Sequence, residues 1–576
     1  MASETSIHPL KRFIALLKPE KKLVLTIYIY AIFAGLVSLT LPLGIQAIIN
    51  LILGGQVSTS WIVLVALVII GVIVFGFLQV RQLSINEILQ QKIFTRASFE
   101  FAYRIPKFKL DQIKGTYLPE LINRFFDTAS IQKGLSKILI DFTTAFFQIV
   151  FGLLLISFYH PFFILFSIFL VILIFLIVRF TFPKGLETSI IESHHKYATA
   201  HWLEELARNV ETFKMASDSK LPLEKNDENT EAYIKARRSH FNVLKNQYNL
   251  LIIFKAVVTA GLLLIGGLLV FQQQMNIGQF VAAEIIIILI INSVEKMIFT
   301  LESIYDILTS VDKLAVVTDL PLEDMATGYR DFKVDEEGIE VKLKNLTLAQ
   351  NGSTHKFLNN ITLDIKPGEK ICLTGTSNAG KTIILQLLAG WFDFYEGNIS
   401  FNGVPLQDIN LTQLRKKIGD CMSTEGIFHG TVAENLSMGV ESISFDELQE
   451  ACEVTGLSEY LESEPSGFQK ILFPGDKTLP KRAKQQLLWA RGILGNKSLI
   501  LWEDAFGMVS YKEKLDFVKY LTNSKKTVVL VSNNMDVIEK CDRVIGMEKG
   551  KLLYDIPGLD AKNHNWFQEI ALSKNA

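Results

Sequence analysis

The chain has 576 residues, too many for one ordinary domain, and 49% of them are hydrophobic. Its mean hydropathy of +0.29 is high for a soluble protein, and the apolar residues are concentrated in the first half. A formal net charge of -1 gives no global basic surface, which excludes a nucleic-acid partner recruited by overall charge.

Near the start, Phe13–Leu17 lies between Lys11-Arg12 and Lys18-Pro19. It reads as an amphipathic helix on a membrane surface, without the cleavage site of a signal peptide. Six long apolar runs follow, near 23–50, 61–80, 138–158, 162–182, 250–271 and 277–300. At about 1.5 Å per helical residue, each is long enough to cross a hydrocarbon core of about 30 Å.

The connections predict the orientation. Gly54–Ser60, Tyr159–Pro161 and Gln272–Asn276 contain no Lys or Arg, whereas 81–137 and 184–249 are rich in both. The long connections and both termini are therefore expected on the cytoplasmic side. Those long stretches read as helical extensions of the spans, broken near Gln112–Pro119 and Ala216–Pro222. Polar residues interrupt some spans: Pro42, Gln46 and Asn50 in the first, Lys255 at the opening of the fifth, and Glu284, Asn292, Glu295 and Lys296 in the sixth. Lys255 is expected to snorkel, and Glu295 and Lys296 to lie at or beyond the cytoplasmic end. Glu284 sits deeper and is expected to face a water-filled cavity or a partner subunit.

Residues 1–318 thus read as a membrane α-helical bundle, and 319–338, with Pro321, Gly328 and the acidic run Asp335–Glu337, as a linker. In 339–576 short β-type runs (Ile339–Leu343, Ile371–Thr374, Leu499–Trp502, Thr527–Val531, Val544–Met547) alternate with helical segments, which predicts an α/β domain. The four cysteines, Cys372, Cys421, Cys452 and Cys541, all fall here without metal-type spacing and read as reduced thiols.

The sharpest motif lies in this half. Gly375, Thr376, Ser377, Asn378, Ala379, Gly380, Lys381 and Thr382 fit the P-loop pattern between a strand-like and a helix-like run. Small residues let backbone N–H groups point at phosphate oxygens, Lys381 supplies a point charge, and Thr382 is an oxygen donor for Mg²⁺.

Six spans with long extensions followed by a P-loop α/β domain resemble an ABC exporter half-transporter. The likeness extends to Gly397–Gly403 with Leu414-Arg415, Phe428–Thr431 with Glu434-Asn435, Ala490-Arg491, and Asp542-Arg543 with Gly550-Lys551. Leu41–Leu43, Phe213–Ala216 and Ile277–Gln279 are similar to the haemolysin-type branch of protein exporters, the type I secretion branch. No peptidase domain precedes the spans, so leader processing is not expected. The resemblance implies ATP and Mg²⁺ as ligands and a homodimer or a heterodimer with another half-transporter. It further implies a possible periplasmic adaptor as partner and placement in a bacterial inner membrane with the nucleotide-binding domain cytoplasmic.

Against the family pattern, this chain departs at nearly every catalytic position. The signature that clasps the γ-phosphate reads Leu479-Pro480-Lys481-Arg482-Ala483, where Pro480 has no N–H and the long cations obstruct a close backbone approach. The acidic pair after Leu499–Trp502 is inverted to Glu503-Asp504, so the Mg²⁺ arm is one methylene longer and the general base one shorter. A misplacement near 1 Å can cost on the order of 10²-fold in rate. Asp504 is therefore expected to be a poor catalytic base. Ser423 stands at the Q-loop glutamine, Asn533 at the switch histidine, Ser510 at the D-loop aspartate and Gln350 at the base-stacking aromatic. Phosphate binding is expected to survive with hydrolysis impaired or lost. Three functions stay open: export of a protein or peptide, a non-hydrolytic membrane scaffold or regulator, and a lipid or small-molecule exporter half.

Overall fold

The computed structural model describes residues 9–54, 59–110, 113, 117–323, 338–349, 356–422, 426–475, 478–504 and 508–572. Two compact units emerge: residues 1–108 with 115–321, and residues 109–114 with 322–576.

The first unit is helical. Its elements are α1 (Pro9–Leu17), α2 (Lys21–Val37), α3 (Thr40–Leu53), α4 (Thr59–Arg104), α5 (Leu118–Ile122), α6 (Asp127–Ser136), α7 (Thr143–Ser157), α8 (Pro161–Arg208), α9 (Val210–Met215), α10 (Leu221–Phe271) and α11 (Ile277–Thr318). They include six helical stretches, Pro9–Leu53, Thr59–Lys107, Leu118–Ser157, Pro161–Arg208, Leu221–Phe271 and Ile277–Thr318, that are long and apolar enough to cross a membrane. The first is not one continuous helix. Pro42 cannot donate to Ser38, and the chain breaks between α2 and α3. The Ser38 and Thr40 hydroxyls donate back to the Gly35 and Val37 carbonyls, each at 2.7 Å, and satisfy the loosened turn.

The helices pack around Phe163, Phe254, Ile286 and Ile290, all essentially inaccessible. Buried polar rungs fix their rotation. Gln247 donates to Thr181 Oγ1 at 3.0 Å and to Tyr305 Oη at 2.7 Å. The Ser189 and Thr309 hydroxyls meet at 3.0 Å. Lys255 and Glu295, read from sequence as a snorkelling cation and a residue at the span end, form an ion pair at 2.8 Å that joins α10 to α11. Neighbouring Asn292 and Lys296 line a cavity of about 640 Å³ together with Gln79 and Gln148. The Ile277–Gln279 motif forms the first turn of α11, where Asn276 and Gln279 make a reciprocal capping box.

The second unit is α/β. In chain order it contains β1 (Val341–Ala349), β2 (Lys356–Ile365), β3 (Lys370–Gly375), α12 (Lys381–Leu388), β4 (Glu396–Phe401), β5 (Val404–Pro405), α13 (Leu411–Lys417) and β6 (Ile418–Cys421). Then come β7 (Gly430–Thr431), α14 (Val432–Ser437), α15 (Phe445–Thr455), α16 (Ser458–Ser463), β8 (Ile471–Leu472) and α17 (Lys481–Ile493). The last are β9 (Leu499–Glu503), α18 (Tyr511–Asn523), β10 (Thr527–Val531), α19 (Met535–Ile538), β11 (Arg543–Glu548), β12 (Lys551–Pro557) and α20 (Asn565–Leu572).

The main sheet has the order β12-β11-β3-β10-β9-β6. All neighbouring pairs are parallel except β11–β12. The strands read as continuous apolar runs because both faces are covered, as the fully buried Thr527–Val531 shows. β3 lies between β10 and β11, so the loop leaving its carboxyl end is flanked by the ends of both neighbours. A second, antiparallel sheet has the order β2-β1-β4-β5. All four cysteines are buried and free.

Candidate functional site

The loop from Gly375 to Gly380 turns from β3 into α12. Gly375 has φ +147° and Gly380 φ +96°, both in the region that favours glycine. The space is closed as well: a Cβ on Gly375 would sit 2.0 Å from the Met547 carbonyl oxygen, and one on Gly380 2.9 Å from that of Phe357. Thr376, Ser377 and Asn378 are exposed, and Ala379 and Gly380 are buried. The Lys381 ammonium curls over the loop and donates to the Gly375 and Thr376 carbonyls, each at 2.8 Å. The loop is thus a concave run of small residues with a cation held across its mouth, opening the first turn of a helix.

β9 brings the acidic pair to this loop. Thr382 Oγ1 donates to Glu503 Oε1 at 2.6 Å. Asp504 faces other partners. Its Oδ1 lies 2.7 Å from the Lys514 ammonium, with only 8% of the lysine and 11% of the aspartate side chain exposed. Its Oδ2 accepts from Ser532 Oγ at 2.8 Å. Both oxygens are therefore engaged, one by α18 and one by the residue after β10. A carboxylate held this way is poorly placed to take a proton from water.

Thr382 and Glu503 are oxygen donors of the type Mg²⁺ takes. The charge beside them is not what a metal-organising pair needs, because the second carboxylate already carries an ammonium counter-ion. The residues do not fit a site that depends on the dication to balance its acids.

Asn533, at the expected switch position, is turned inward to the P-loop. It accepts from Thr374 Oγ1 at 2.9 Å and from the Gly375 N–H at 3.1 Å, and donates to the Gly375 carbonyl at 3.1 Å.

At the expected signature position, Pro480 precedes α17 without a side-chain cap. Arg482 bonds Glu513 at 2.7 Å and Glu459 at 2.5 Å, so its charge is spent inside the unit. Ser510, at the expected D-loop aspartate, caps α18 through a reciprocal capping box with Glu513. Glu513 also accepts from Gln486 Nε2 at 2.7 Å. Burial would raise the Glu513 carboxyl, but the hydrogen bonds from Ser510 and Arg482 outweigh it and hold it below its ordinary value.

Ser423 and Gln350 lie outside the described residues. Two other flagged segments meet: the buried Asn435 side chain exchanges hydrogen bonds with the backbone of Phe428, and Arg491 Nε donates to the Asn435 carbonyl at 2.8 Å. The sequence reading missed Lys514 and Ser532. The signal for Lys514 was available, since it shares the inward face of α18 with Phe517, Val518 and Leu521, where a lysine needs a buried partner. No group of three or more His, Cys, Asp or Glu side chains arranged to hold a metal occurs among the described residues.

Two family models match the chain: the ABC transporter transmembrane region over residues 24–294, and ABC transporter over residues 358–507. The lactococcin-A transport/processing ATP-binding protein LcnC of Lactococcus lactis subsp. lactis is 23% identical, across 99% of this chain and 80% of its own length. The transport/processing ATP-binding protein ComA of Streptococcus pneumoniae is 22% identical, over 94% of this chain and 75% of its own. An ATP-dependent lipid A-core flippase of Desulfotalea psychrophila is 23% identical, over 82% and 81%. A solved bacterial Atm1-family ABC exporter with ATP bound superposes with a TM-score of 0.84, covering 96% of this chain and 98% of that one at 15% identity, a likeness of fold.

Proposed function

This chain is an ABC transporter, with the six-helix transmembrane region and the ABC domain in one polypeptide, and we propose that it is a dimeric exporter-type subunit for a protein or peptide that binds ATP but hydrolyses it weakly or not at all. The observation that carries the impaired hydrolysis is Asp504, with both carboxylate oxygens engaged by Lys514 and Ser532. The phosphate cradle Gly375–Thr382 supports retained binding, because its geometry needs only backbone amides and Lys381. Peptide cargo, of the type I secretion kind, is favoured by the transport relatives named for lactococcin. The lipid A-core flippase relative supports a lipid-exporting half as the second reading. A non-hydrolytic scaffold is the form the proposal takes if no partner supplies a working site.

In this proposal the chain spans a bacterial inner membrane with its termini and nucleotide-binding domain in the cytoplasm, and works with a second half-transporter and a periplasmic adaptor. The deciding experiment measures ATP affinity and turnover of the purified chain, alone and with its partner, beside Lys381→Ala. Affinity without turnover, lost in Lys381→Ala, is the expected result. Turnover by the lone chain that Lys381→Ala abolishes would end the proposal of impaired hydrolysis.

A further inference from the structure

The charged side chains around the cradle pair off with one another or with the loop. Lys381 bridges the loop carbonyls, Glu503 takes the Thr382 hydroxyl, and Asp504 is paired with Lys514. Two cations thus face two carboxylates, and the cluster is neutral before any ligand arrives. Without Lys514 it would be net negative, and a triphosphate would meet an uncompensated acid at the end of β9. A dication normally relieves that conflict.

Lys514 is fixed rather than adventitious. Its side chain is 8% exposed, and the next residue back, Glu513, is locked by Ser510, Gln486 and Arg482. α18 therefore cannot easily withdraw the ammonium.

We propose that Lys514 is a resident counter-cation of the nucleotide site, so that the pocket takes a nucleoside triphosphate with an affinity that does not rest on Mg²⁺. This deepens the reading of Gly375–Thr382 as a phosphate cradle and rests on it. Lys514 acts through Asp504, as a positioning residue, and no step of hydrolysis is assigned to it.

The test is ATP affinity of the full chain in lipid nanodiscs, by titration calorimetry in excess Mg²⁺ and in excess EDTA. For the native chain the two dissociation constants should agree within about threefold. Lys514→Met keeps much of the buried stem and removes the charge. Because a unit charge at close range in a medium of effective dielectric about 20 is worth on the order of tenfold or more, its affinity should fall at least about tenfold in EDTA relative to Mg²⁺. Asp504→Asn reverses the imbalance and should favour the metal-free nucleotide. The double variant Asp504→Asn/Lys514→Met lacks the ion pair but is again neutral, and should return to metal independence. A purely structural role for the pair predicts no such recovery.

A native chain that loses more than about tenfold in EDTA overturns the proposal by the same electrostatic measure. So does a double variant that keeps the metal dependence of Lys514→Met. Absence of ATP binding by the native chain in both conditions would instead sink the cradle reading, and this inference with it.

Discussion

The side-chain amide of Asn533 holds both backbone groups of Gly375, accepting from its N–H and donating to its carbonyl, each at 3.1 Å. An imidazole cannot reproduce that pair of bonds, because no single tautomer offers an acceptor and a donor side by side in one plane as an amide does. Asn533→His is therefore expected to loosen the loop without restoring turnover, since Asp504 stays paired. ATPase assays beside Lys381→Ala would check this, and turnover clearly above that control would refute it.

Gly375 itself tolerates no side chain. Gly375→Ala places a methyl 2.0 Å from the Met547 carbonyl oxygen at φ +147°. The expected cost is about 2–4 kcal/mol, from strain and displacement of the β11 end. Thermal melting of the purified chain should show a lowered midpoint, with the stabilisation by ATP gone.

Glu513 carries a pH dependence with a definite sign. Its folded carboxyl sits below the ordinary value of 4.5, although burial alone would raise it, because Ser510 and Arg482 favour the anion. A depressed folded value contributes stability that is present above about 4.5 and lost as pH falls through the folded value. Glu513→Gln should flatten the acid limb of the melting curve below about pH 4.5. An unchanged limb would show that the carboxylate is not held as described. Arg482→Ala, by contrast, removes ion pairs whose arginine is 46% exposed, so its cost should stay under about 1 kcal/mol.

The Lys255–Glu295 pair makes a prediction about the helical unit. The two side chains are 35% and 27% exposed, so removing one partner should cost roughly 1–2 kcal/mol, less than for a fully buried pair. Lys255→Met should lower the melting midpoint in nanodiscs, and Lys255→Met/Glu295→Gln should recover most of the loss. A double variant no better than the single would show that the attraction between these groups is not what matters.

What the sequence revealed divides along local and non-local lines. The six apolar stretches, the strands around Ile371–Thr374 and Thr527–Val531, and the glycine pattern of 375–380 were all readable, because each is set by its own residues and their period. The break between α2 and α3 was within reach, since Pro42 marks it, but the apolar run on either side hid it. The ion pairs were not legible. Lys255 and Glu295 are 40 residues apart, and a lone lysine near a span end gives no hint of which carboxylate it will meet. The same holds at the candidate site. The departures at 482, 504, 510 and 533 could be seen one by one, but that Glu513 joins 482 to 510 emerges only once α17 and α18 lie side by side.

That joining bears on how such a chain can evolve. Restoring a small residue at 482 takes one bond each from Glu513 and Glu459, and an aspartate at 510 sets a second negative charge against Glu513. Each backward step carries a small cost before its successors can offset it. The bonds among the altered residues act as a shallow bias against return, and a conventional engine calls for replacements at several of these positions together.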